Sequence, residues 1–204
     1  MRTRHLFLLL ILLFISGCKE KKTASSEGLT AGVLDFQDNF DRDTLGKDWT
    51  TKNPKAYRIK DGKLFVQMAH NKGLWLNRVL PPRVRIEFDA IALSKDVDIK
   101  CEVFAAKQMH QSGYILILGG WHNQLSIIAR LNEHGKDRLV TDRTGEKGRR
   151  YHWTIVRTDN RLRWYLDGKL FLEYDDKAPL KGLYFGFNDW EAPVEFDNLR
   201  IYRL

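Results

Sequence analysis

The chain has 204 residues and a formal net charge of +8, and 43% of its residues are hydrophobic. A chain of this length can bury about 70% of its unfolded surface in one domain, so it needs neither disulfides nor metals to fold. The sequence contains two cysteines, which excludes a small secreted fold held together by several disulfides.

Residues 1–17 are expected to form a secretory signal peptide. Basic residues come before an unbroken apolar run from Leu6 to Ile15, and small residues come directly before Cys18, which is the order of segments in an export signal. The apolar run is too short to span a membrane comfortably. The ending ISGC resembles a bacterial lipobox, and the resemblance implies cleavage before Cys18 and acylation of that residue. The alternative is an ordinary signal peptide followed by an incidental cysteine.

Lipidation would determine where the domain lies. Several acyl chains anchor a protein firmly, because each buried methylene contributes about 0.8 kcal/mol. Residues 18–32 are polar and small, which is typical of a flexible tether, and residues 33–204 form the expected domain. We therefore expect an exported, monomeric domain that a lipid at Cys18 attaches to a membrane of the bacterial cell envelope. Nucleic acid is not expected as a partner of such a protein.

The segment between Arg130 and Arg150 carries much of the excess positive charge. Its basic residues are mixed with acids and glycines, so we interpret it as a solvated, loop-rich surface. The alternative is that it attracts anionic glycans or lipid headgroups.

Most of the domain is predicted to be β-strand. Asp-Gly pairs at residues 61–62 and 167–168 stand between alternating apolar segments. This pair favours a type I′ hairpin, because both central residues need a positive φ. Other predicted strands are LWLNRVL, RVRIEFDAIAL, DIKCEVFAA, SGYILILGG, LSIIARLNE, YHWTIVRTD, GLYFGFND and VEFDNLRIYRL. Many short strands without a sustained helical period predict an all-β fold, a sandwich of two antiparallel sheets.

Several side chains are expected in the core of this sandwich. Cys101 alternates with apolar neighbours in DIKCEVFAA, which indicates a buried and unreactive thiol. Trp153 and Trp164 alternate with apolar residues in predicted strands, so both are assigned to the core. Trp49 is expected to pack the first turn against a sheet.

Four motifs follow one another along the domain, namely FQDNFDRDTLGKDW, DGKLFV, YHWTIVRTDNRLRWYLDGKLFLEYDD and VEFDNLRIYRL. In this order they resemble the concanavalin A-like lectin/glucanase superfamily, and above all its bacterial glucanase-like and laminin-G-like members. The resemblance covers nearly all of the domain. It implies a jelly roll whose concave sheet forms a groove and whose first and last strands are adjacent.

Two carboxylates in RIEFDAIALS decide what the resemblance implies about catalysis. Glucanases of this superfamily carry E-x-D-x-E or E-x-D-x-x-E on one strand, because a retaining mechanism needs two carboxyl groups about 5–5.5 Å apart. Glu87 and Asp89 match the first two positions, but the third falls on Ile91 or Ala92, which cannot donate a proton. The resemblance therefore implies no catalytic residues, and Glu87 and Asp89 would face water or line the groove. The alternative is a substitute acid from another strand, such as Glu102, Glu133 or Asp189.

Three tryptophans are candidates for a saccharide-binding surface, because sugar rings stack their C–H faces on aromatic rings. Trp121 in GGWHNQ and Trp190 in FNDWEAP have glycines, amides or carboxylates as neighbours. Either they bind a ligand or they cap the ends of the sandwich. For Trp75 in NKGLWLNR the capping role is favoured. The polar contacts to a ligand are assigned to Asn123, Arg130 and Asp189.

The segment IIARLNEHG adds further polar residues. In a regular strand Arg130 and Glu133 face opposite sides, so they belong to one site only if the chain bends between them. His134 stands beside a glycine and is interpreted as a turn residue. The sequence shows no His and Cys cluster with the spacing of a zinc site.

Calcium is the only cofactor that the resemblance implies. Superfamily glucanases often hold a structural calcium through the aspartate of the last strand, which Asp197 matches. Backbone carbonyls near Gln37 and Gly62 would complete the site. The alternative is that Asp197 accepts hydrogen bonds from backbone amides.

Three classes of function remain. The first is a membrane-tethered, non-catalytic carbohydrate-binding domain whose partner is a polysaccharide or glycoconjugate. The second is a glycoside hydrolase, or a keto-disaccharide hydrolase or lyase, with a non-standard acid/base. The third is a structural or protein-interaction domain of the envelope. The missing third carboxylate argues against the second class, and the candidate surface tryptophans mildly favour the first over the third.

Overall fold

A computed structural model describes Leu29 and residues 32–204. The expected signal peptide at residues 1–17, the lipidation site Cys18 and most of the expected tether at residues 18–32 lie outside the described residues. Within the described part of the chain, no helix is both long enough and apolar enough to cross a membrane.

The described residues form two antiparallel β-sheets, of eight and seven strands. Sheet A contains β1 (Val33–Asp38), β3 (Tyr57–Lys60), β4 (Lys63–Val66), β6 (Val84–Ala92), β11 (Arg150–Thr158), β12 (Arg161–Leu166), β13 (Lys169–Asp175) and β15 (Val194–Arg203). Sheet B contains β2 (Trp49–Thr51), β5 (Leu74–Leu76), β7 (Ile99–Ala105), β8 (Tyr114–Gly119), β9 (Leu125–Arg130), β10 (Arg138–Thr141) and β14 (Tyr184–Asn188). A 3₁₀ turn (Pro54–Ala56) precedes β3, and a helical turn, α1 (Gly120–Asn123), joins β8 to β9.

The strand order confirms the predicted two-sheet sandwich. Sheet A runs β13-β12-β11-β6-β15-β4-β3, with β1 also paired to β15, and sheet B runs β10-β9-β8-β7-β14-β5-β2. The first and last strands are adjacent, since Asp38 of β1 lies opposite Leu199 of β15. This adjacency is what the resemblance implied.

Both predicted Asp-Gly hairpins are present. Asp61 and Gly62 connect β3 to β4 with φ of 50° and 67°. Asp167 and Gly168 connect β12 to β13 with φ of 50° and 74°. Positive φ at both central residues is the requirement of the type I′ turn from which the hairpins were predicted.

The segment from residue 130 to residue 150 is not entirely loop. Strand β10 lies within it and pairs with β9 along the edge of sheet B. Its side chains are exposed or half-buried, so its apolar alternation is weak, which explains why a loop was expected.

The side chains that were assigned to the core from the alternation of apolar residues fill the space between the two sheets. Trp153 and Trp164 are fully buried and stack with their ring centroids 4.3 Å apart. Cys101 is a buried free thiol, and burial raises its pKa well above the ordinary value. The indole N–H of Trp49 donates to Oδ2 of Asp38 over 2.8 Å, which ties the first turn to the core.

Sheet B also buries apolar side chains on its outer face. Here Ile115 and Ile117 of β8 pack beside Ile127 and Ala129 of β9, and Trp121 covers them in part. The strand pleat sends alternate residues to opposite faces, so these side chains point away from the core. Two members of this outer apolar cluster, Ile117 and Trp121, also line the candidate site.

Candidate functional site

A cavity of about 600 Å³ lies on the outer face of sheet B, and we call it the groove. Its floor comes from β7 and β8, and loops from both ends of neighbouring strands surround it. The lining residues are Gln67, Met68, Asn71, Ser94, Asp96, Asp98, Lys100, Ile117, Trp121, His122, Glu133, His134, Trp190, Glu191, Ala192 and Pro193.

The turn α1 holds one wall of the groove in an unusual backbone conformation. Gly119, Trp121, His122 and Asn123 have φ between 53° and 66°, the left-handed region that costs roughly 1–2 kcal/mol per non-glycine residue. Two hydrogen bonds between the Asn123 side chain and the backbone of Gly145, of 2.8 and 3.1 Å, hold the turn in place. Backbone strain of this kind concentrates at functional sites. Asn123 was predicted to contact a ligand, but its side chain binds the backbone of Gly145 and so stabilises the turn.

Two of the tryptophans predicted to bind ligand line the groove. Trp121 is half-buried, packs edge-on against His134 and has the Arg138 guanidinium 5.5 Å from a ring centroid. Trp190 is 51% exposed and packs edge-on against His70, with ring centroids 4.9 Å apart. Each indole thus has one histidine neighbour and still presents surface to the groove.

A buried polar network forms the floor of the groove. Lys100 is 2% exposed, and its Nζ donates to Oδ1 of Asn71 over 2.8 Å. The same Nζ lies 3.2 Å from Oε2 of Glu133, while Nδ2 of Asn71 donates to Oε1 of Glu133 over 3.3 Å. Burial acts to lower the pKa of Lys100, but the carboxylates of Asp98 and Glu133 raise it above the ordinary value. The ammonium is therefore charged at the floor of the groove.

Glu133 reaches the groove because the chain bends just before it. Leu131 has φ of 66°, which breaks the strand alternation after Arg130. Arg130 turns away and donates to Asp176 over 2.9 Å, whereas Glu133 and His134 line the groove. From the sequence, Arg130 and Glu133 were expected to share one site only if the chain bent between them. The chain does bend, but the bend directs the two side chains to different places. His134 is a wall residue as well as part of a turn.

Two aspartates of the groove region have raised pKa values. Burial raises the pKa of Asp98, whose Oδ2 accepts a 2.7 Å hydrogen bond from the backbone N–H of Trp190. Burial raises the pKa of Asp189 to about 7. Asp189 is fully buried, and its Oδ1 accepts from the backbone N–H of Ala69 over 2.8 Å. It supports the loop behind the lining, so it is not placed to touch a ligand.

Glu102 and Trp75 lie beside the groove. Glu102 is fully buried, with Oε1 2.7 Å from Nδ1 of His110 and accepting a 2.8 Å hydrogen bond from Asn188. His110 and Trp75 line a separate pocket of about 90 Å³, and Trp75 is 3% exposed. Trp75 thus packs as the sequence favoured. Of the three substitute acids considered, Glu133 lines the groove and the other two lie outside its lining.

Three histidines pair with carboxylates around the groove. The nitrogen-to-oxygen distances are 3.1 Å for His70–Glu191, 3.3 Å for His122–Asp96 and 3.6 Å for His134–Glu133. The groove is therefore surrounded by aromatic rings and acidic groups that lie next to each other.

Glu87 and Asp89 lie on the other sheet. Strand β6 belongs to sheet A, between β11 and β15, and its Glu87 and Asp89 face the outer surface of that sheet. Glu87 lies 2.8 Å from Nε of Arg85, and Asp89 lies 2.8 Å from Nδ1 of His152. The prediction that they line the groove is wrong for this cavity, because alternation shows which side chains point outward but not to which sheet a strand belongs.

Asp197 lies on the same outer surface. It is opposite Asp89 in the pairing of β15 with β6, and its Oδ1 accepts from the backbone N–H of Asn198 over 2.7 Å. Burial raises its pKa. Among the described residues, no group of three or more His, Cys, Asp or Glu side chains could hold a metal ion. A calcium held by Asp197 and backbone carbonyls stays a prediction.

The sequence interpretation missed Lys100, Asp96 and Asp98. A signal for Lys100 existed in DIKCEVFAA, where Lys100 and Glu102 alternate with the core residues Ile99 and Cys101. Two charged residues on one face of an otherwise apolar strand indicate that this face is polar and that other parts of the chain cover it. The sequence analysis named Glu102 on this face as a possible substitute acid but did not connect it with Lys100.

Solved structures with the same fold come from several bacteria. The carbohydrate binding module CBM66 from Bacillus subtilis has a TM-score of 0.63 and 16% identity, over 78% of this chain and 98% of that chain. A β-glucanase from Bacillus licheniformis has a TM-score of 0.64 and 11% identity, over 86% and 100%. A protein of unknown function with a galectin-like fold, from Bacillus subtilis, has a TM-score of 0.68 and 11% identity, over 84% and 96%. The fold is a concanavalin A-like sandwich.

No curated protein sequence matches the chain. Residues 85–200, which extend from β6 into β15 and make up more than half of the chain, match the family described as Farnesoic acid 0-methyl transferase. On this match, the chain belongs to that family.

Proposed function

We propose that this domain binds a polysaccharide or glycoconjugate in the groove without cleaving it, and that a lipid at Cys18 tethers it to a membrane of the bacterial cell envelope. The observation that carries the proposal is the position of Trp121 and Trp190 on one cavity of about 600 Å³. Cavities of roughly 300–1,000 Å³ with aromatic walls and a few polar groups are typical ligand sites. Trp190 is 51% exposed, so a ligand could still bury much of its ring.

Contacts within the protein hold the residues of the groove in position. The left-handed turn fixes Trp121, and the Lys100–Asn71–Glu133 network fixes the floor. A site whose side chains are already held in place loses little conformational freedom on binding. Sugar rings can stack on the indoles while the polar floor and rim fix their orientation.

The names of related proteins support a saccharide more than a fatty acid. Two structures of the same fold are named as a carbohydrate binding module and a β-glucanase. The description of the family names methyl transfer to farnesoic acid, which is itself a carboxylic acid. The lining of the groove carries the carboxyl groups of Asp96, Asp98, Glu133 and Glu191. Like charges placed together in a site disfavour binding, so the groove suits an anionic lipid poorly.

Hydrolysis is the second candidate function, and one pair of lining residues favours it. Burial raises the pKa of Asp98. Burial acts in the same direction on Glu133, but the positive charge of Lys100 and the hydrogen bonds from Lys100 and Asn71 bring its pKa below the ordinary value. Two carboxyl groups whose pKa values are moved apart can serve as acid and base. On this account Asp98 would donate a proton and Glu133 would accept one.

One experiment separates these functions. Detergent-purified protein is titrated with a panel of polysaccharides and oligosaccharides, and the same mixtures are assayed for released reducing sugar. We expect at least one saccharide to bind and none to be cleaved. Cleavage that disappears in Glu133→Gln would establish the hydrolase instead. Binding of no saccharide would move the domain to the class of envelope interaction proteins, and binding of farnesoate alone would favour the activity in the family description.

A further inference from the structure

The groove has the opposite charge to the rest of the protein. The chain carries a formal net charge of +8, yet four carboxyl groups and a single ammonium, that of Lys100, line the groove. Glu102, two residues after Lys100 on β7, adds a buried carboxyl group beside it. Charge concentrated in a cleft raises the local concentration of a ligand of opposite sign.

Glu133 adds negative charge to the floor of the groove without offering a free acceptor. It is 5% exposed, and its Oε2 is shielded from solvent and lies 3.2 Å from Nζ of Lys100. A donor on a ligand does not reach this oxygen, so the acceptors that a ligand can contact must lie at the rim.

The rim offers acceptors beside the aromatic walls. The side chain of Asp96 is 45% exposed and contacts His122, and that of Glu191 is 54% exposed and contacts His70. A carboxylate has about four lone-pair positions, so one histidine contact leaves most of them available. Glu191 directly follows Trp190 in the chain.

Trp190 can add an attraction for a positive charge. An indole face attracts a cation within about 6 Å of the ring centroid. At Trp121 the Arg138 guanidinium already lies 5.5 Å from a ring centroid, whereas Trp190 is 51% exposed and is followed in the chain by the carboxylate of Glu191. Ammonium groups form strong charge-assisted hydrogen bonds with carboxylates.

We propose that the groove selects a saccharide that carries protonated amines, namely an oligosaccharide of amino sugars with free amino groups. The proposal rests on the saccharide-binding function above and adds the charge and the functional group of the ligand. The sugar rings stack on Trp121 and Trp190, and the ammonium groups bind the exposed carboxylates of Asp96 and Glu191.

Three matched ligands test the proposal by calorimetric titration of the purified protein. They are β-1,4-linked oligomers of equal length, made of glucosamine, N-acetylglucosamine or glucose, so that only the group at C2 differs. The glucosamine oligomer should bind roughly tenfold tighter than the other two at low salt, which corresponds to about 1.4 kcal/mol, because opposite charges near a protein surface attract each other. The preference should shrink as salt rises, because exposed charges are screened over about 8 Å at physiological ionic strength.

Two variants remove charge without changing shape. Asp96→Asn and Glu191→Gln should each weaken binding of the glucosamine oligomer by roughly threefold to tenfold, and should weaken binding of the acetylated and glucose oligomers by a smaller factor. Asp159→Asn is the matched control. Asp159 is an exposed carboxylate in the β11–β12 turn, with φ of 50°, a conformation that asparagine tolerates. This variant should bind all three ligands as the wild type does.

Several outcomes would overturn the proposal. Equal affinity for the three oligomers, or tighter binding of the acetylated or glucose oligomer, would show that the amine is not recognised. A tetralysine peptide that binds as tightly as the glucosamine oligomer would show selection of a polycation and not of a saccharide. Equal affinity for the three oligomers, or tighter binding of the acetylated or glucose oligomer, would leave the proposed saccharide-binding function in place. Only failure to bind any saccharide of the wider panel removes the proposed function as well.

Discussion

Nζ of Lys100 lies 3.2 Å from Oε2 of Glu133 at the floor of the groove, and the two residues are 2% and 5% exposed. A charge removed from water to this extent is destabilising by several kcal/mol unless another charge or a set of hydrogen bonds compensates it. Each of these two residues therefore depends on the other. The floor of the groove is a single charged unit of the fold.

Lys100→Met should lower the free energy of unfolding by about 3–5 kcal/mol, because it leaves the Glu133 carboxylate buried without its counter-charge. Adding Glu133→Gln to that variant should recover part of the loss. Urea denaturation followed by tryptophan fluorescence measures both changes. Asp159→Asn should stay within about 0.5 kcal/mol of the wild type. A Lys100→Met variant as stable as the wild type would show that the pair does not compensate charge.

Asp189 should make stability fall as pH rises. Burial raises its pKa to about 7, whereas an unfolded aspartate has a pKa of about 3.9. Between about pH 4 and pH 7 the folded state keeps a proton that the unfolded state releases, so this group's contribution to stability is full below pH 4 and is lost as pH rises to 7.

Asp189→Asn isolates this effect, because asparagine can accept the hydrogen bond from Ala69 but cannot ionise. Relative to the wild type, the variant should gain stability as pH rises, by at most on the order of 4 kcal/mol across the window. Urea denaturation of both proteins at several pH values measures the difference. Parallel pH profiles would contradict the raised pKa.

Gly119→Ala should disrupt the turn that carries Trp121. A Cβ at this position would overlap Oδ1 of Asn123 and would lie 2.8 Å from Cβ of Val97. The clash adds roughly 1–3 kcal/mol to the strain of a positive φ. Gly148→Ala is the control, since Gly148 has φ of 77° but nothing within 4 Å of the new Cβ. Thermal unfolding of both variants measures the effect, and the melting temperature of Gly148→Ala should fall less than that of Gly119→Ala. Equal falls would contradict the packing argument.

Much of the sandwich could be predicted from local chemistry. The Asp-Gly pairs predicted the two hairpins, because few residues accept positive φ at two consecutive positions. The alternation of apolar residues predicted that Trp153 and Trp164 face the core. The fate of Glu87 and Asp89 could not be predicted in this way. Which sheet takes strand β6 depends on its pairing with β11 and β15, and these partners are distant in the chain.

The groove was predictable only in part. Trp121 and Trp190 stand in polar, turn-rich segments, and this setting identified them. The direction of Glu133 depends on φ of 66° at Leu131, a conformation that a leucine rarely adopts and that no pattern indicates. The meeting of Asp98 with the backbone of Trp190 joins residues 92 positions apart. Long-range contacts of this kind are not encoded in local periodicity.

Replacing Cys18 with Ser should release the protein from the membrane. The expectation follows from ISGC after the apolar run and from the firm anchoring that several acyl chains provide. Fractionation of cells that express the wild type or Cys18→Ser measures it. If the variant stays in the membrane fraction as strongly as the wild type, another segment anchors the chain and the lipidation site is wrong.

The central claim is that Trp121 and Trp190 form the saccharide-binding surface of the groove, and calorimetric titration of Trp190→Ala with a saccharide that binds the wild type tests it most directly. Trp190 is 51% exposed, so its removal should leave the fold intact. Loss of one stacked ring should weaken binding by about 1–3 kcal/mol, or roughly fivefold to 150-fold. Leu183→Ala, which removes another exposed apolar side chain, should bind as the wild type does. Unchanged affinity in Trp190→Ala would contradict the account.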